Sequence, residues 1–205
     1  MKFGMHLGIR GPAAEPDSLA EIARAAEDMG FDYLGFSDHV VIAASVDSVY
    51  PYTDDGRWFA EDSGDCLEQI STICYVAAAT TRIRLLTSVM VLPHRPPLLA
   101  AKMLTTADVL SKGRLTVGVG VGWMAEEIAL LDGPDFTKRG KAADEMIAGF
   151  RELWTAPRPK QSGDHVSFDG VLFSPKPVQN PHPPIWVGGE SKPARRRAGR
   201  IGDGW

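Results

Sequence analysis

The sequence predicts an α/β fold in which helices cover a parallel sheet. Two observations lead to this prediction. Strand-like segments alternate with amphipathic helical segments along the 205 residues. The strand-like segments are continuous apolar runs, as expected where both faces of a sheet are buried. An open doubly wound sheet and a (β/α) barrel both satisfy this pattern, and composition does not choose between them.

In the amino-terminal half, the predicted strands and helices alternate at residues 3–8, 18–29, 33–36, 67–79 and 82–92. The first helix is opened by a capping box of Ser18 and Glu21, carries apolar residues at helical spacing and is ended by Gly30. The second helix is rich in alanine, which favours helices. A polar segment at 40–64, with several turn-forming residues, is interpreted as an insertion.

In the carboxyl-terminal half, the predicted strands and helices lie at residues 96–111, 115–121, 124–131, 143–154, 185–188 and 193–200. Pro96 and Pro97 suit the first turn of the helix that they open, and Gly113 follows its end. A second insertion, at 157–184, contains seven prolines and a predicted hairpin around Asp169-Gly170. Residues 202–205 are expected to lead into one more strand.

The composition excludes several classes of protein. The net charge is −4 and the Lys and Arg residues are dispersed, so no basic groove for nucleic acid is expected. Cys66 and Cys74 are too few for a disulfide scaffold and form no CxxC pair, so no metal site is predicted. No apolar run is long enough for a signal peptide or a membrane span. We therefore expect one soluble cytoplasmic domain over residues 1–205.

Polar and aromatic residues follow the carboxyl ends of several predicted strands, which is where a barrel carries its active site. Asp38 could accept a hydrogen bond from a cofactor or orient His39, and His39 could shuttle a proton. The alternative is that Asp38 caps a helix and the histidine is incidental. His6, His94 and Trp123 are candidates for lining a substrate pocket, although His94 also suits a solvated turn and Trp123 a core.

Two glycine-rich segments differ in what they predict. Gly188 and Gly189 end a strand just before Ser191 and a helix, where backbone N–H groups and the helix dipole favour a phosphate. Glu190 should then point away, and the alternative is an ordinary capped loop. The run 118–122 lacks the GxGxxG spacing of a dinucleotide-binding turn. Its glycines are interpreted as leaving room for a ligand or for a neighbouring backbone.

With these motifs in place, the chain resembles the luciferase-like monooxygenase superfamily and, within it, the deazaflavin (coenzyme F420)-dependent oxidoreductases. The segments that carry the resemblance appear in family order: Ser37-Asp38-His39, Thr87-Ser88-Val89, residues 113–123, and residues 187–191 with 202–205. The resemblance implies a (β/α)8 TIM barrel. About five βα units and the start of a sixth are present, so the barrel is expected to be incomplete at its carboxyl end.

The resemblance also implies roles for individual residues. Ser88-Val89 would form a bulge with a non-prolyl cis peptide behind the deazaflavin ring, and Asp38 would face that ring. His39 would donate or accept the proton. The cofactor phosphate would be held by the loop of Gly188, Gly189, Glu190 and Ser191. The implied reaction is hydride transfer between F420 and a small organic substrate.

Two other functions stay open at this stage. The first is an FMN-dependent monooxygenase of the same superfamily, which uses O2 and needs reduced flavin from a partner reductase. The second is a non-catalytic remnant that binds cofactor weakly or not at all. The resemblance also implies a homodimer. Trp123 stands where some members carry a catalytic glutamate, so dehydrogenation of a sugar phosphate is not expected.

Overall fold

The computed structural model describes residues 1–58 and 64–205. Its strands are β1 Gly4–His6, β2 Tyr33–Phe36, β3 Arg84–Thr87, β4 Met90–Val91, β5 Leu115–Gly120 and β6 Ile185–Val187. Its α-helices are α1 Pro16–Asp28, α2 Gln69–Ala79, α3 Pro97–Leu110, α4 Ala125–Leu130, α5 Arg139–Thr155 and α6 Lys192–Ile201. The predicted alternation of strands and helices is confirmed. Residues 59–63 of the predicted first insertion lie outside the described residues.

The sheet is parallel, and its strands lie in chain order. β1 pairs with β2, β2 with β3, both β3 and β4 with β5, and β5 with β6. An open doubly wound sheet would reverse this order at a switch point. The helices also follow one another around the sheet, since α1 packs on α2, α2 on α3, α3 on α5 and α5 on α6. This arrangement is that of a (β/α) barrel, the architecture that the resemblance implied.

The barrel order continues beyond β6. Trp186 forms a parallel bridge with Gly204, and the N–H of Asp203 donates to the carbonyl of Ile185 at 2.7 Å. Residues 202–205 therefore lead toward a neighbouring strand, as the sequence predicted. Among residues 1–58 and 64–205, no helix combines the length and the apolar character needed to cross a bilayer.

The core fills the space between the strands and the helices. In β5 every residue from Leu115 to Val119 is buried, which explains why this strand appears in the sequence as a continuous apolar run. Phe150 and Trp154 of α5 are buried in the same core. Burying side chains of this size contributes about 1.5–3 kcal/mol each to stability, so the core holds the strand ends in fixed positions.

Two predictions of local structure are wrong. The first helix begins at Pro16 rather than Ser18, and its N-cap residue makes no side-chain hydrogen bond, so the predicted capping box does not form. Proline suits the first turn of a helix because that position needs no N–H partner. The hairpin predicted around Asp169-Gly170 is displaced, because the antiparallel bridge joins Gln161 to Phe168 and the chain reverses between them.

Candidate active site

The segment predicted as one strand at 82–92 is interrupted by a bulge. A cis peptide bond joins Ser88 to Val89, so that β3 ends at Thr87 and β4 begins at Met90. The N–H of Ser88 still donates to the carbonyl of Phe36 at 2.7 Å, which ties the bulge to the end of β2. This is the position and the bond type that the family resemblance implied.

Glycines in the neighbouring strands make room for this bulge. A Cβ on Gly118 would lie 2.1 Å from the carbonyl oxygen of Thr87. A Cβ on Gly120 or on Gly188 would lie 2.6 Å from a methyl group of Val89. Side chains at these three positions would therefore push the strands apart. The sequence left open whether the β5 glycines make room for a ligand or for neighbouring chain. The contacts of Gly118 and Gly120 are both explained by neighbouring chain.

A fourth glycine, Gly35, lies directly beside the bulge. A Cβ on Gly35 of β2 would lie 3.3 Å from the Cβ of Ser88 and 3.7 Å from the imidazole of His6. His6 ends β1 and is exposed. Burial of part of its ring, followed by the charge of Arg10, lowers the pKa of His6. Gly35 therefore leaves the space between His6 and Ser88 free of a further side chain.

Asp38 follows β2 and is enclosed by the chain. Its carboxylate accepts two hydrogen bonds from the guanidinium of Arg95 and one from the N–H of Val91, each of 2.8 Å. Arg95 also donates to Glu68 at 2.6 Å. Burial would lower the pKa of Arg95, but the bonds and charges of both carboxylates raise it. Asp38 caps no helix, so that alternative is wrong, and its contact with a cofactor stays a prediction.

His39 is paired with a carboxylate from a distant part of the chain. Its Nδ1 lies 2.7 Å from Oε2 of Glu127, in the first turn of α4. The other oxygen of Glu127 accepts from the N–H groups of Val40 and Val41, at 2.7 and 3.2 Å. Burial would raise the pKa of Glu127, but the bond from His39, the nearby histidines and the backbone donor lower it. Glu127 is therefore ionised at neutral pH.

Aromatic rings enclose His39. The ring of Trp58 lies 4.3 Å from that of His39, and the ring of Trp123 meets the same histidine edge-on at 6.4 Å. Tyr50 packs on Trp123 at 5.0 Å, and the guanidinium of Arg10 lies 4.7 Å from the centre of the Trp58 ring. Trp123 also packs against a small apolar cluster of Trp58 and Met124, which agrees with its predicted core role, and its place in a substrate pocket stays a prediction.

His94 is buried between the carboxylates of Asp38 and Glu127. It ends a short 3-10 helix, Leu92–His94, and is 5% exposed. Its Nδ1 lies 3.9 Å from Asp38 and its Nε2 lies 3.7 Å from Glu127. Burial lowers the pKa of His94 against the opposing charges of the two carboxylates. The alternative of a solvated turn is therefore wrong, and a contact between His94 and substrate stays a prediction.

The loop after β6 has the features of a phosphate site. Gly189 adopts a φ of +101°, which favours glycine, and Ser191 caps α6 by accepting from the N–H of Ala194 at 3.3 Å. No acidic residue lies in the first turn of α6, and Glu190 is exposed. Free N–H groups at a helix start favour an anion. The residues present therefore fit a phosphate-bearing cofactor.

The arginine run on α6 serves two purposes. Arg197 and Arg200 both bind Asp144 of α5, whereas Arg195 and Arg196 are exposed. The first two arginines attach α6 to its neighbouring helix. The exposed pair has the solvated character that the sequence predicted.

The role of Glu127 was not anticipated from the sequence, although a signal for it exists. Glu127 lies three residues after Met124 and one residue before Ile128, which are both buried. A carboxylate on the apolar face of a helix needs a buried partner. The identity of that partner could not be read from the sequence, because His39 is 88 positions away. Trp58 was missed because it lies within the polar insertion.

One family model and several known proteins match this chain in sequence. A sequence model described as luciferase-like monooxygenase matches residues 1–205. An F420-dependent glucose-6-phosphate dehydrogenase from Microbacterium testaceum is 30% identical over 93% of this chain and 52% of its own length. An FMNH2-dependent dimethylsulfone monooxygenase from Pseudomonas putida is 33% identical over 72% of this chain and 41% of its own length.

A solved structure supports the same fold. The coenzyme F420-dependent tetrahydromethanopterin reductase from Methanopyrus kandleri superposes with a TM-score of 0.75 at 20% identity. The match covers 98% of this chain and 54% of that chain. The chain spans between 41% and 66% of the length of the curated relatives that it matches.

Proposed function

Because the chain belongs to the luciferase-like monooxygenase family, whose model matches residues 1–205, we propose that it is an F420-dependent oxidoreductase. The proposed reaction is hydride transfer between F420 and a small organic substrate. The observation that carries the proposal is the convergence of the Ser88-Val89 bulge, His39 and the 188–191 loop at the carboxyl ends of adjacent parallel strands. The active site of a (β/α) barrel lies at this edge.

The chain contributes binding surfaces at two points of the site. The bulge at Ser88-Val89, with Gly35 beside it, would support the ring of the cofactor. The N–H of Gly188 donates to the carbonyl of Val119, so the remaining N–H groups of the 188–191 loop and the hydroxyl of Ser191 would hold its phosphate. When bound, F420 supplies two-electron hydride chemistry. The task of the protein is then to place the substrate against the ring and to exclude water.

His39 is the residue that we assign to proton transfer. It lies just past β2, next to the strand that bears the bulge, and its Nδ1 is bonded to Glu127. A histidine held in one orientation can exchange a proton with substrate near neutral pH. Asp38 acts as a positioning residue in this proposal, because its bonds to Val91 and Arg95 fix the chain that follows the bulge.

A second candidate is an FMN-dependent monooxygenase that uses O2 and receives reduced flavin from a partner reductase. The 33% identity to the dimethylsulfone monooxygenase favours it. The same phosphate loop and bulge would serve FMN, so these two features do not distinguish the cofactors. The family resemblance further underlies our proposal that the protein is a homodimer, and a cytoplasmic location stays a prediction of the sequence.

A substitution in the phosphate loop tests the proposed site. Gly189→Val adds a branched side chain at a φ of +101°, where the Cβ alone would lie 3.2 Å from Ala194. We expect F420 affinity, measured by fluorescence titration, to fall at least about tenfold, which corresponds to about 1.4 kcal/mol.

The matched control is Gly170→Val. Gly170 also has a positive φ, of +64°, but it lies in the second insertion and its Cβ would meet no atom within 4 Å. The control should be strained to a similar degree and should keep its affinity for F420. Equal affinity of the Gly189→Val variant and the control would place the phosphate elsewhere.

A further inference from the structure

Glu127 is buried without a lysine or arginine partner among the described residues. Its side chain is 0% exposed, and its contacts are the N–H groups of Val40 and Val41, the Nδ1 of His39, and His94 at 3.7 Å. An ionised carboxylate can only accept hydrogen bonds. Each group that bonds to it must therefore present a hydrogen.

This requirement determines the state of His39. A neutral imidazole carries its single hydrogen on one of two ring nitrogens, and the partner of the other nitrogen decides which. Because Oε2 of Glu127 accepts at 2.7 Å, the hydrogen must lie on Nδ1. Among residues 1–58 and 64–205, no group bonds to Nε2 of His39, so this nitrogen keeps its lone pair.

We propose that Glu127 is a positioning residue that holds His39 as the Nδ1–H tautomer and leaves Nε2 as the atom that exchanges a proton with substrate. This inference rests on the proposed function only for the use of Nε2. The tautomer itself is a property of the protein without cofactor or substrate. It can therefore be measured independently.

The neighbouring groups support this assignment. His94 is the other titratable side chain that contacts Glu127, and burial keeps it neutral. The charged pair of Asp38 and Arg95 is satisfied internally through two bonds of 2.8 Å. His39 is therefore the only side chain within hydrogen-bond distance of Glu127 in the part of the chain that the structure describes.

The substitution Glu127→Gln is expected to change the tautomer of His39. One oxygen of Glu127 accepts both backbone N–H groups, so the amide oxygen of glutamine should take that place. The amide NH2 group would then face His39 and donate to Nδ1. His39 should respond by moving its hydrogen to Nε2. Glu127→Gln is thus expected to reverse the tautomer while it keeps the bonds to Val40 and Val41.

Glu126 provides the matched control. It lies next to Glu127 and also accepts from backbone N–H groups of the first insertion, those of Asp47 and Ser48 at 2.8 and 3.0 Å. No bond joins it to His39. Glu126→Gln should therefore disturb the insertion to a comparable extent and leave the tautomer of His39 unchanged.

The experiment is a long-range ¹⁵N–¹H correlation spectrum of protein labelled at its five histidines, recorded without cofactor at a pH well above the ordinary range for imidazole. The variant His39→Gln assigns the signals. The wild type and Glu126→Gln should show the Nδ1–H pattern, and Glu127→Gln should show the two nitrogen shifts exchanged. An Nε2–H pattern in the wild type, or an unchanged pattern in a folded Glu127→Gln variant, would overturn the proposal.

If Glu127→Gln does not fold, the wild type and Glu126→Gln spectra still decide between the tautomers. Failure of F420 to bind would contradict the proposed function and leave this result unaffected.

Discussion

Buried charge organises the candidate site at the scale of single residues. The Asp38 carboxylate forms a two-bond pair with Arg95, and both side chains are almost fully enclosed, at 0% and 7% exposure. The desolvation cost of such a pair is offset only while both partners are present. This pair connects the end of β2 to the segment after β4, which follows the cis bond.

Removing one charge of this pair should therefore destabilise the protein. Among the described residues, Asp38→Asn leaves the guanidinium of Arg95 with only Glu68 as a charged partner, and it places an NH2 group against it. We expect a loss of about 3–5 kcal/mol in the free energy of unfolding. Urea unfolding with an unchanged m-value measures this loss.

An exposed ion pair serves as the control for this measurement. Lys160 and Asp169 lie 2.5 Å apart, and their side chains are 67% and 65% exposed. Asp169→Asn should change stability little, because solvent screens such pairs. If Asp38→Asn lowers the free energy of unfolding no more than Asp169→Asn does, the buried pair does not stabilise the site.

At the scale of elements, one glutamate joins a helix to the start of a strand. Glu27, at the end of α1, accepts hydrogen bonds from the N–H groups of Thr81, Arg82 and Ile83. These residues lead into β3. Burial would raise the pKa of Glu27, but the three backbone bonds lower it to about 2 from an ordinary value of 4.5.

This depressed pKa predicts a specific dependence of stability on pH. Because the folded pKa lies below the unfolded one, Glu27 stabilises the protein fully above about pH 5 and loses this effect as the pH falls toward about 2. Glu27→Gln should remove this component. The wild type should lose more stability than the variant between pH 5 and pH 3, as measured by urea midpoints. Equal losses would mean that Glu27 is not ionised in these bonds.

The sequence predicted the elements better than their ends. The sequence placed the six α-helices of the described residues but not the short 3-10 helices. The start of α5 lies at Arg139 rather than at the predicted 143, because its first turn is polar and shows no apolar spacing. The interruption of the strand at Ser88-Val89 carries no periodic signal and was expected only from the resemblance. The pairing of His39 with Glu127 depends on strand register, which local patterns do not determine.

At the scale of the whole molecule, the order of the strands in the sheet distinguishes a barrel from an open doubly wound sheet, a choice that the composition left open. Continuous apolar strands suit an open sheet as well as a barrel. In the observed sheet β1, β2, β3, β5 and β6 are neighbours in that order, with β4 continuing the line of β3, so the order has no switch point. Parallel order brings every strand's carboxyl end to one edge, so His6, His39, the bulge and the loop after β6 share it. The sequence could therefore predict the edge but not the contacts across it.

The cofactor is the central claim of this account, and one measurement tests it most directly. The purified protein is titrated by fluorescence with F420 and, in parallel, with FMN, while circular dichroism confirms that it is folded. We expect F420 to bind more tightly than FMN. A folded protein that prefers FMN would contradict the claim in favour of the monooxygenase, and one that binds neither cofactor would contradict both assignments.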